Sequence, residues 1–276
     1  MSGDALPEYR VKARNTATSS ENKIHDDAVA RRYGFRGGLV PGVTVYAYMT
    51  HPLAEAFGTG WLERGTASVR FVKPVLDGEE LTVSGTVTAR DERGVTASLT
   101  ASTASAGECA AMTATIPAGT PTPVNVARYP RAPLPAERPA ATRAHLDALA
   151  TLGTPVNAYD AARAGEYLEK VGDALDLYRG ADGFVHPGFF LDQANRALDR
   201  NVRMDPWLHV GSVVRHLGGA RVGATLETRG RVRSLFEKKG REFVEADLLI
   251  VAGDRPRPVA HILHTAIYKL PPPAAG

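Results

Sequence analysis

The chain has 276 residues, of which 43% are hydrophobic and 23% charged, as in globular proteins with one large core or two ordinary ones. No apolar run approaches the roughly 18 residues of a membrane helix, and no charged start followed by an apolar run marks a leader, so no membrane partner is expected. The formal net charge is +3, but basic residues are scattered among nearly equal numbers of acids, which argues against a nucleic-acid partner.

The single cysteine, Cys109, excludes an internal disulfide and a thiolate metal cage. We therefore expect a protein of the reducing cytoplasm in which Cys109 is a buried, unreactive thiol. His261 and His264 lie three residues apart in a strand-like run and so face opposite sides, which argues against a shared metal. No motif for a nucleotide phosphate or a serine nucleophile occurs, and we expect neither a metal nor a redox cofactor.

The first predicted helices lie in and after the stretch SSENKIHDDAVARRYGFRGGLVPGV, residues 19–43. Asn22 or Asp26 caps a short helix over DDAVARRY, and Gly34 supplies the left-handed residue that ends it. The glycine-rich loop then leads through Gly42 into VTVYAYMTHPLAEAF, whose apolar residues are too dense for a solvent-facing helix. We predict a buried helix that begins at this glycine.

Strand-like runs fill the rest of each half, and FFLDQANRAL predicts a second buried helix. A proline-rich stretch between the halves predicts an extended linker, in which a short helix over residues 145–152 remains open. We divide the chain into a first domain (1–118), a Pro- and Ala-rich linker (119–154) and a second domain (155–276). The strand-like runs are residues 66–75, 80–91 and 94–105, then 211–218, 225–240, 241–253 and 258–270.

The two halves resemble copies, because matching residues recur at a nearly constant spacing. Pro41-Gly42 recurs as Pro187-Gly188, 146 residues later, and after a one-residue slip the spacing is 145. Chance agreement at a few glycines is the alternative to an internal duplication. A duplication predicts an α+β fold in which two long central helices are each wrapped by an antiparallel sheet. The other pairs are Trp61-Leu62 with Trp207-Leu208, Gly65 with Gly211, Val69-Arg70 with Val214-Arg215, Leu81 with Leu226, Gly85 with Gly230, and Val87 with Val232.

His25 and Gly42 are the residues of this stretch that could carry chemistry. Imidazole is the side chain best suited to exchange a proton near neutral pH, although a satisfied hydrogen bond at a helix start would explain His25 equally well. Gly42 brings free backbone N–H groups and the positive end of a buried helix to the same region. Together they provide a general base and an oxyanion hole, which suits proton transfer next to a thioester carbonyl.

The order of residues here resembles the MaoC-like (R)-specific enoyl thioester hydratases and dehydratases, which have a hot-dog fold. The resemblance covers residues 15–115 and implies two hot dogs in one chain that acts on acyl groups carried by coenzyme A or acyl carrier protein. In the family motif, an Asp and a His activate a water while a glycine N–H at the central helix binds the thioester oxygen. The matching residues are Asn22, Ile24-His25, Gly34-Phe35, Gly38-Leu39-Val40, Pro41-Gly42, Arg70-Phe71, Pro74-Val75, Gly78 and Leu81.

Carried over by position, the family histidine is His25, the asparagine Asn22 and the glycine Gly42. Ser20 stands where the family has its Asp, and Lys23 stands where it has a Pro. A serine cannot take a proton at neutral pH, so Glu21, one residue away, would substitute only if the loop shifts. If Glu21 points outward, His25 acts alone, at a cost of about 100-fold to 10,000-fold in rate.

The second half has no histidine at the matching position, which is Val171. His186 directly precedes Pro187-Gly188, and either a structural role or a substrate contact would explain it. We therefore predict a single active site, built by the first half and lined by the second.

The resemblance implies a lyase that adds water to enoyl thioesters or removes it from 3-hydroxyacyl thioesters. Two alternatives stay open: a catalytically silent acyl-thioester-binding or partner subunit, and a hot-dog thioesterase. The expected partner is an acyl thioester of coenzyme A or acyl carrier protein, and a homodimer is possible through pairing of sheet edges.

Overall fold

The computed structural model describes residues 4–204 and 206–270, and within them ten strands form one antiparallel sheet. The strands are β1 (Tyr9–Lys12), β2 (Thr66–Phe71), β3 (Glu80–Asp91), β4 (Gly94–Thr103), β5 (Gly107–Pro117), β6 (Val156–Tyr159), β7 (Leu208–His216), β8 (Ala224–Lys238), β9 (Arg241–Ala252) and β10 (Arg257–Lys269). The α-helices are α1 (Asp27–Arg32), α2 (Gly42–Phe57), α3 (Thr59–Arg64), α4 (Arg143–Asp147), α5 (Ala161–Val171) and α6 (Pro187–Asp199). Short 3-10 turns cover Lys23–His25, Val126–Arg128 and Asp176–Tyr178.

The strand order of the sheet repeats itself from the centre outward. The order is β1-β3-β4-β5-β2-β7-β10-β9-β8-β6, so each half contributes five strands in the same sequence. Strands β2 and β7 pair in the middle, with Ser68 opposite Val213, and join the halves into one continuous sheet. Strands β1 and β6 are the two edges.

The spacing that suggested a duplication marks equivalent places in the sheet. Gly85 in β3 lies opposite Leu99, and Gly230 in β8 lies opposite Leu248. A Cβ at Gly85 would lie 2.7 Å from Leu99 Cγ, and one at Gly230 would lie 2.6 Å from Leu248 Cδ2, so each glycine makes room for a neighbouring leucine. The ladder then slips at matching positions, between Val87 and Ala89 and between Val232 and Ser234.

Helix α2 confirms the buried segment predicted after Gly42. Every residue from Val43 to Ala54 is buried, and Tyr46 and Tyr48 belong to the core. Helix α2 packs on β1, β3, β4 and β7, while α6 packs on β8 and β10, and the two helices also contact each other. The α2 side chains therefore belong to the same core as those of α6.

Strands β1, β5 and β6 have no counterpart among the predicted runs. Strand β5 is rich in small residues with low strand propensity, but Ala110 and Ala114 are fully buried in the ladder with β4, and tertiary packing overrides propensity there. Cys109, also in β5, is a buried free thiol, as predicted. Of the described residues, none forms a helix that is both long and apolar enough to cross a membrane.

Candidate active site

His25 ends the 3-10 turn Lys23–His25 and presents one ring nitrogen as a proton acceptor. Its Nδ1 lies 2.7 Å from the carbonyl oxygen of Leu39, which can only accept a hydrogen bond, so Nδ1 carries the proton and Nε2 a lone pair. Nε2 lies 3.5 Å from the amide nitrogen of Asn22. Burial lowers the pKa of His25 against the opposing bond to Leu39, so the ring is neutral near pH 7.

The glycine-rich loop holds the carbonyl group of Leu39 close to the His25 ring. Asp27 Oδ1 accepts the N–H of Gly38 at 2.7 Å, which fastens the loop to α1. A Cβ at Gly38 would collide with the carbonyl oxygen of His25, so only glycine allows the loop to lie this close to the backbone of His25. Asp26 caps α1 through the N–H of Val29, and Gly34 has a φ of +84°, as the sequence predicted for both.

Gly42 begins α2 at the same cavity. No side chain caps this helix, and the Gly42 N–H donates to none of the residues that the structure describes. A Cβ at Gly42 would lie 3.0 Å from Nδ1 of His209 and 3.2 Å from the ring of Phe71. A side chain here would crowd His209 and Phe71, and glycine avoids this beside an unused N–H at the positive end of a buried helix.

A cavity of about 240 Å³ connects these groups with the second half of the chain. His25 and Gly42 line it from the first half, and Trp207 and His209 from the second. A more polar cavity of about 350 Å³ adjoins it and shares His25 with it. His25 therefore stands where an apolar chamber and a polar one meet. The other residues that line both are Asn22, Pro41, Asn195 and Trp207.

Asn22 holds the two halves together beside His25. Its amide oxygen accepts the N–H of Trp207 at 3.2 Å, and its amide nitrogen donates to the Trp207 carbonyl at 3.0 Å. The same oxygen accepts the N–H of Ile24 and caps the 3-10 turn. Asn22 thus fixes the position of His25 relative to Trp207.

Ser20 and Glu21 line the polar cavity with His25, but neither side chain hydrogen-bonds to the His25 ring. The Ser20 hydroxyl accepts the N–H of Asn22 at 3.1 Å, and the Glu21 carboxylate pairs with Arg138 at 2.8 Å while its side chain is 75% exposed. Within the described residues, no carboxylate hydrogen-bonds to His25. Asp199 lines the polar cavity, where burial and the charge of Glu21 raise its pKa to about 6.

Two residues of the candidate site come from the second half of the chain and were not predicted from the sequence. Asn195 lines both cavities, and its buried amide oxygen has no hydrogen-bond partner among the described residues. His209 likewise has a buried Nδ1 without a partner there. A polar residue within the predicted buried helix FFLDQANRAL was an available signal for Asn195, whereas no local pattern marked His209.

The corresponding helix start in the second half is filled. The Gly188 N–H donates to Nδ1 of His186 at 3.0 Å, and the Tyr167 hydroxyl occupies the place where a Cβ at Gly188 would lie. His186 is fully buried and bonds to Asp173 at 3.2 Å, which also bonds to His51 at 3.1 Å. His186 is therefore structural.

His261 and His264 face opposite sides of β10, as predicted. His261 bonds to Asp247 at 2.8 Å, and His264 bonds to Ser212 at 3.1 Å. Over residues 4–204 and 206–270, no group of three or more His, Cys, Asp or Glu side chains is arranged to hold a metal ion.

No family model matches the chain, and no curated protein is significantly similar to it. Among solved structures, a protein described as a MaoC domain dehydratase from Chloroflexus aurantiacus gives a TM-score of 0.72 at 11% identity, over 98% of this chain and 96% of that chain. A protein described as an oleoyl thioesterase from Lactobacillus plantarum gives a TM-score of 0.57 at 11% identity, over 98% of both chains. A Mycobacterium tuberculosis protein with a double hot-dog fold gives a TM-score of 0.58 at 14% identity, over 97% of this chain and 96% of that chain. At these identities the likeness concerns the fold, and it confirms the resemblance drawn from the sequence: the chain has the double hot-dog fold seen in MaoC-like dehydratases.

Proposed function

We propose that the chain is a hydratase or dehydratase of acyl thioesters, with its active site at His25 and Gly42. The observation that carries the proposal is the lone pair of His25 Nε2 on a cavity that also holds the unused Gly42 N–H. A base and an N–H donor on one cavity are the two groups that addition of water to an enoyl thioester requires. The finer description of each half as a hot dog with its own central helix belongs to this proposal.

One base, His25, carries out both proton transfers of the hydration. His25 Nε2 takes a proton from water as the water oxygen bonds to C3 of the enoyl group, and negative charge moves to the thioester carbonyl oxygen. The Gly42 N–H and the α2 dipole stabilise that oxygen. The protonated ring then returns the proton to C2, so that one water is added and the base is regenerated.

The cavity walls suit an acyl chain on a phosphorylated carrier. Apolar side chains such as Phe35 and Ile267 line the chamber of about 240 Å³, which suits the acyl group. Lys73 and Arg241 line the same chamber and supply positive charge for the phosphate of coenzyme A or of an acyl carrier protein. The second domain (155–276) then acts as the wall of a site that the first domain (1–118) builds.

A catalytically silent acyl-binding subunit is the second candidate. The lack of a hydrogen-bonded carboxylate at His25 favours it, because Ser20 caps a turn and Glu21 is held by Arg138. A silent subunit would bind acyl thioesters without turnover, and a hot-dog thioesterase would release free thiol.

The test is an ultraviolet assay with crotonyl and longer trans-2-enoyl coenzyme A esters, with a thiol reagent in a parallel cuvette. We expect loss of enoyl absorbance without thiol release. His25→Ala should lower the rate by about 100-fold to 10,000-fold, and His145→Ala, at an exposed histidine in α4, is the matched control. Binding without a change in absorbance at any chain length would support the silent subunit, and thiol release that depends on His25 would support the thioesterase.

A further inference from the structure

A β-bulge in β7 brings His209 to the cavity that holds His25. In the ladder between β7 and β10, Thr265 pairs with Gly211 and Ala266 with His209, so Val210 is an extra residue. In a regular strand, residues 209 and 212 would face opposite sides of the sheet. The bulge places His209 and Ser212 on one face, and bulges next to active sites commonly re-aim side chains in this way.

His209 is one end of a short chain of hydrogen bonds. Its Nε2 lies 2.9 Å from the Ser212 hydroxyl, which lies 3.1 Å from Nδ1 of His264. The two imidazole rings stack with centroids 4.2 Å apart. Burial lowers the pKa of His264 to about 3. Burial and His264 also hold the pKa of His209 well below its usual value, against a smaller contribution from the Gly211 backbone. Each ring therefore carries a single proton.

The hydrogen bonds can run in either direction. Ser212 has one hydroxyl proton, so it donates to one ring and accepts from the other. Either direction leaves one buried N–H without an acceptor among the described residues: at His264 Nε2 if His209 donates to Ser212, and at His209 Nδ1 if His264 donates to Ser212. Of the two rings, His209 lines the cavity and His264 does not, so a ligand can accept the proton only at His209. We therefore take the direction that puts the His209 proton on Nδ1.

The Nδ1 proton of His209 then has no acceptor within the described residues. Nδ1 is buried and lies close to Gly42, since a Cβ on that residue would be only 3.0 Å from it. A buried donor without a partner is energetically unfavourable. A ligand oxygen in the cavity beside Gly42 would satisfy Nδ1 and meet the Gly42 N–H as well.

We propose that His209 Nδ1–H is a second hydrogen-bond donor to the thioester carbonyl oxygen, supplied by the second half of the chain and set beside the Gly42 N–H. Ser212 and His264 are positioning residues, because their hydrogen bonds fix the proton of His209 on Nδ1. The inference rests on the proposed function for the identity of the ligand, but the hydrogen-bond chain and the bulge stand without it.

The first measurement is the carbonyl stretch of bound butyryl coenzyme A labelled with carbon-13 at C1, recorded by difference infrared spectroscopy. Butyryl coenzyme A has no double bond to hydrate. We expect a shift to lower frequency on binding to the wild type and most of that shift to be lost in His209→Phe. His209→Gln, which keeps a donor, should recover part of it. His216→Phe, at another buried histidine of β7 that lines neither cavity, is the matched control and should keep the full shift.

The second measurement is enoyl hydration by the same variants, each checked for folding by its thermal midpoint. Loss of one oxyanion donor typically costs about 100-fold to 1,000-fold in kcat, and we expect a loss in this range for His209→Phe with little change in KM. Ser212→Ala should show a smaller loss, because His209 keeps its ring but not its fixed tautomer.

The two proposals fail in different ways. Hydration by His209→Phe at the wild-type rate, or a carbonyl band equal in both proteins, overturns the role of His209 and leaves the proposed function standing. A band shift that depends on His209, in a chain that never hydrates an enoyl ester, supports the role of His209 and overturns the hydratase.

Discussion

The starts of α2 and α6 occupy equivalent places in the two halves, yet only one is open. At Gly42 the first helical N–H is unused and faces a cavity. The N–H of Gly188, the glycine that matches Gly42, is bound by His186, and the Tyr167 hydroxyl lies against the same position. Both halves therefore have the same kind of helix start as part of the fold. The surrounding side chains determine whether that helix start can bind a ligand.

Gly42→Ala should have the largest effect on activity. The new Cβ would lie 3.0 Å from His209 Nδ1 and 3.2 Å from Phe71, next to the space assigned to the carbonyl oxygen, and would crowd both residues. Since alanine is more favourable than glycine within a helix, this offsets part of the crowding, and the midpoint of unfolding should fall only modestly. We expect a loss of about 100-fold to 1,000-fold in kcat for enoyl hydration. Wild-type turnover in this variant would show that Gly42 is not the carbonyl site.

His186→Ala should have the largest effect on stability. Burial alone would raise the pKa of Asp173, but hydrogen bonds from His186 and His51 outweigh it and hold that pKa well below the usual range. Removal of one partner from a buried charge costs about 3 kcal/mol or more, and the cap on Gly188 is lost as well.

Urea unfolding measures this cost, and His186→Asn is the control. Asparagine also caps helices, so it should recover the cap but not the bond to Asp173 and should fall between the other two proteins. An Ala variant as stable as the wild type would show that the filled helix start is not held by His186.

Gly188→Ala should lower stability without a direct effect on chemistry. Its Cβ would lie 2.6 Å from Cβ of Ala47 on α2 and would displace the Tyr167 hydroxyl. Overpacking of this kind costs about 1–3 kcal/mol. Urea unfolding should show this loss, and kcat per folded chain should match the wild type. A large loss of kcat in the folded variant would mean that the second helix start also takes part in turnover.

Glu21→Gln should have the smallest effect. The side chain is exposed and its partner is Arg138 rather than His25, so the ion pair contributes at most about 1 kcal/mol. Hydration rate and unfolding midpoint should both stay close to the wild-type values. A rate loss as large as that of His25→Ala would instead show that Glu21 takes the role that an Asp has in the MaoC-like motif.

The parts of the fold that the sequence predicted are those with a strong local pattern. The run ELTVSGTVTARD coincides with β3, and the boundary between the runs 225–240 and 241–253 falls at the turn between β8 and β9, where Lys239 and Gly240 have positive φ. The four-residue edge strands β1 and β6 are too short to show a pattern, and the alanines of β5 acquire their strand geometry from packing.

The candidate site also contains residues that were predicted from the sequence and residues that were not. His25 and Gly42 are 17 positions apart on one segment that contains α1 and the glycine-rich loop, so local turn chemistry was enough to predict both as neighbours of one site. Asn195 comes from the other half of the chain on α6, which packs on α2. His209 comes from that half on β7, which pairs with β2, and its position also depends on the bulge at Val210. The polar residue in a buried helix was the only local signal for Asn195, and no local pattern marked His209.

The central claim is that neutral His25 is the base of a single open site. The most direct test is the rate of crotonyl coenzyme A hydration from pH 5 to pH 8 in the wild type and in His25→Ala. Because burial lowers the pKa of His25 below its ordinary value of about 6.5, we expect kcat/KM to be level near pH 7 and to fall only in the acid part of the range. That fall should be absent from the residual activity of His25→Ala. Equal rates in the two proteins, or no hydration by either, would contradict the account.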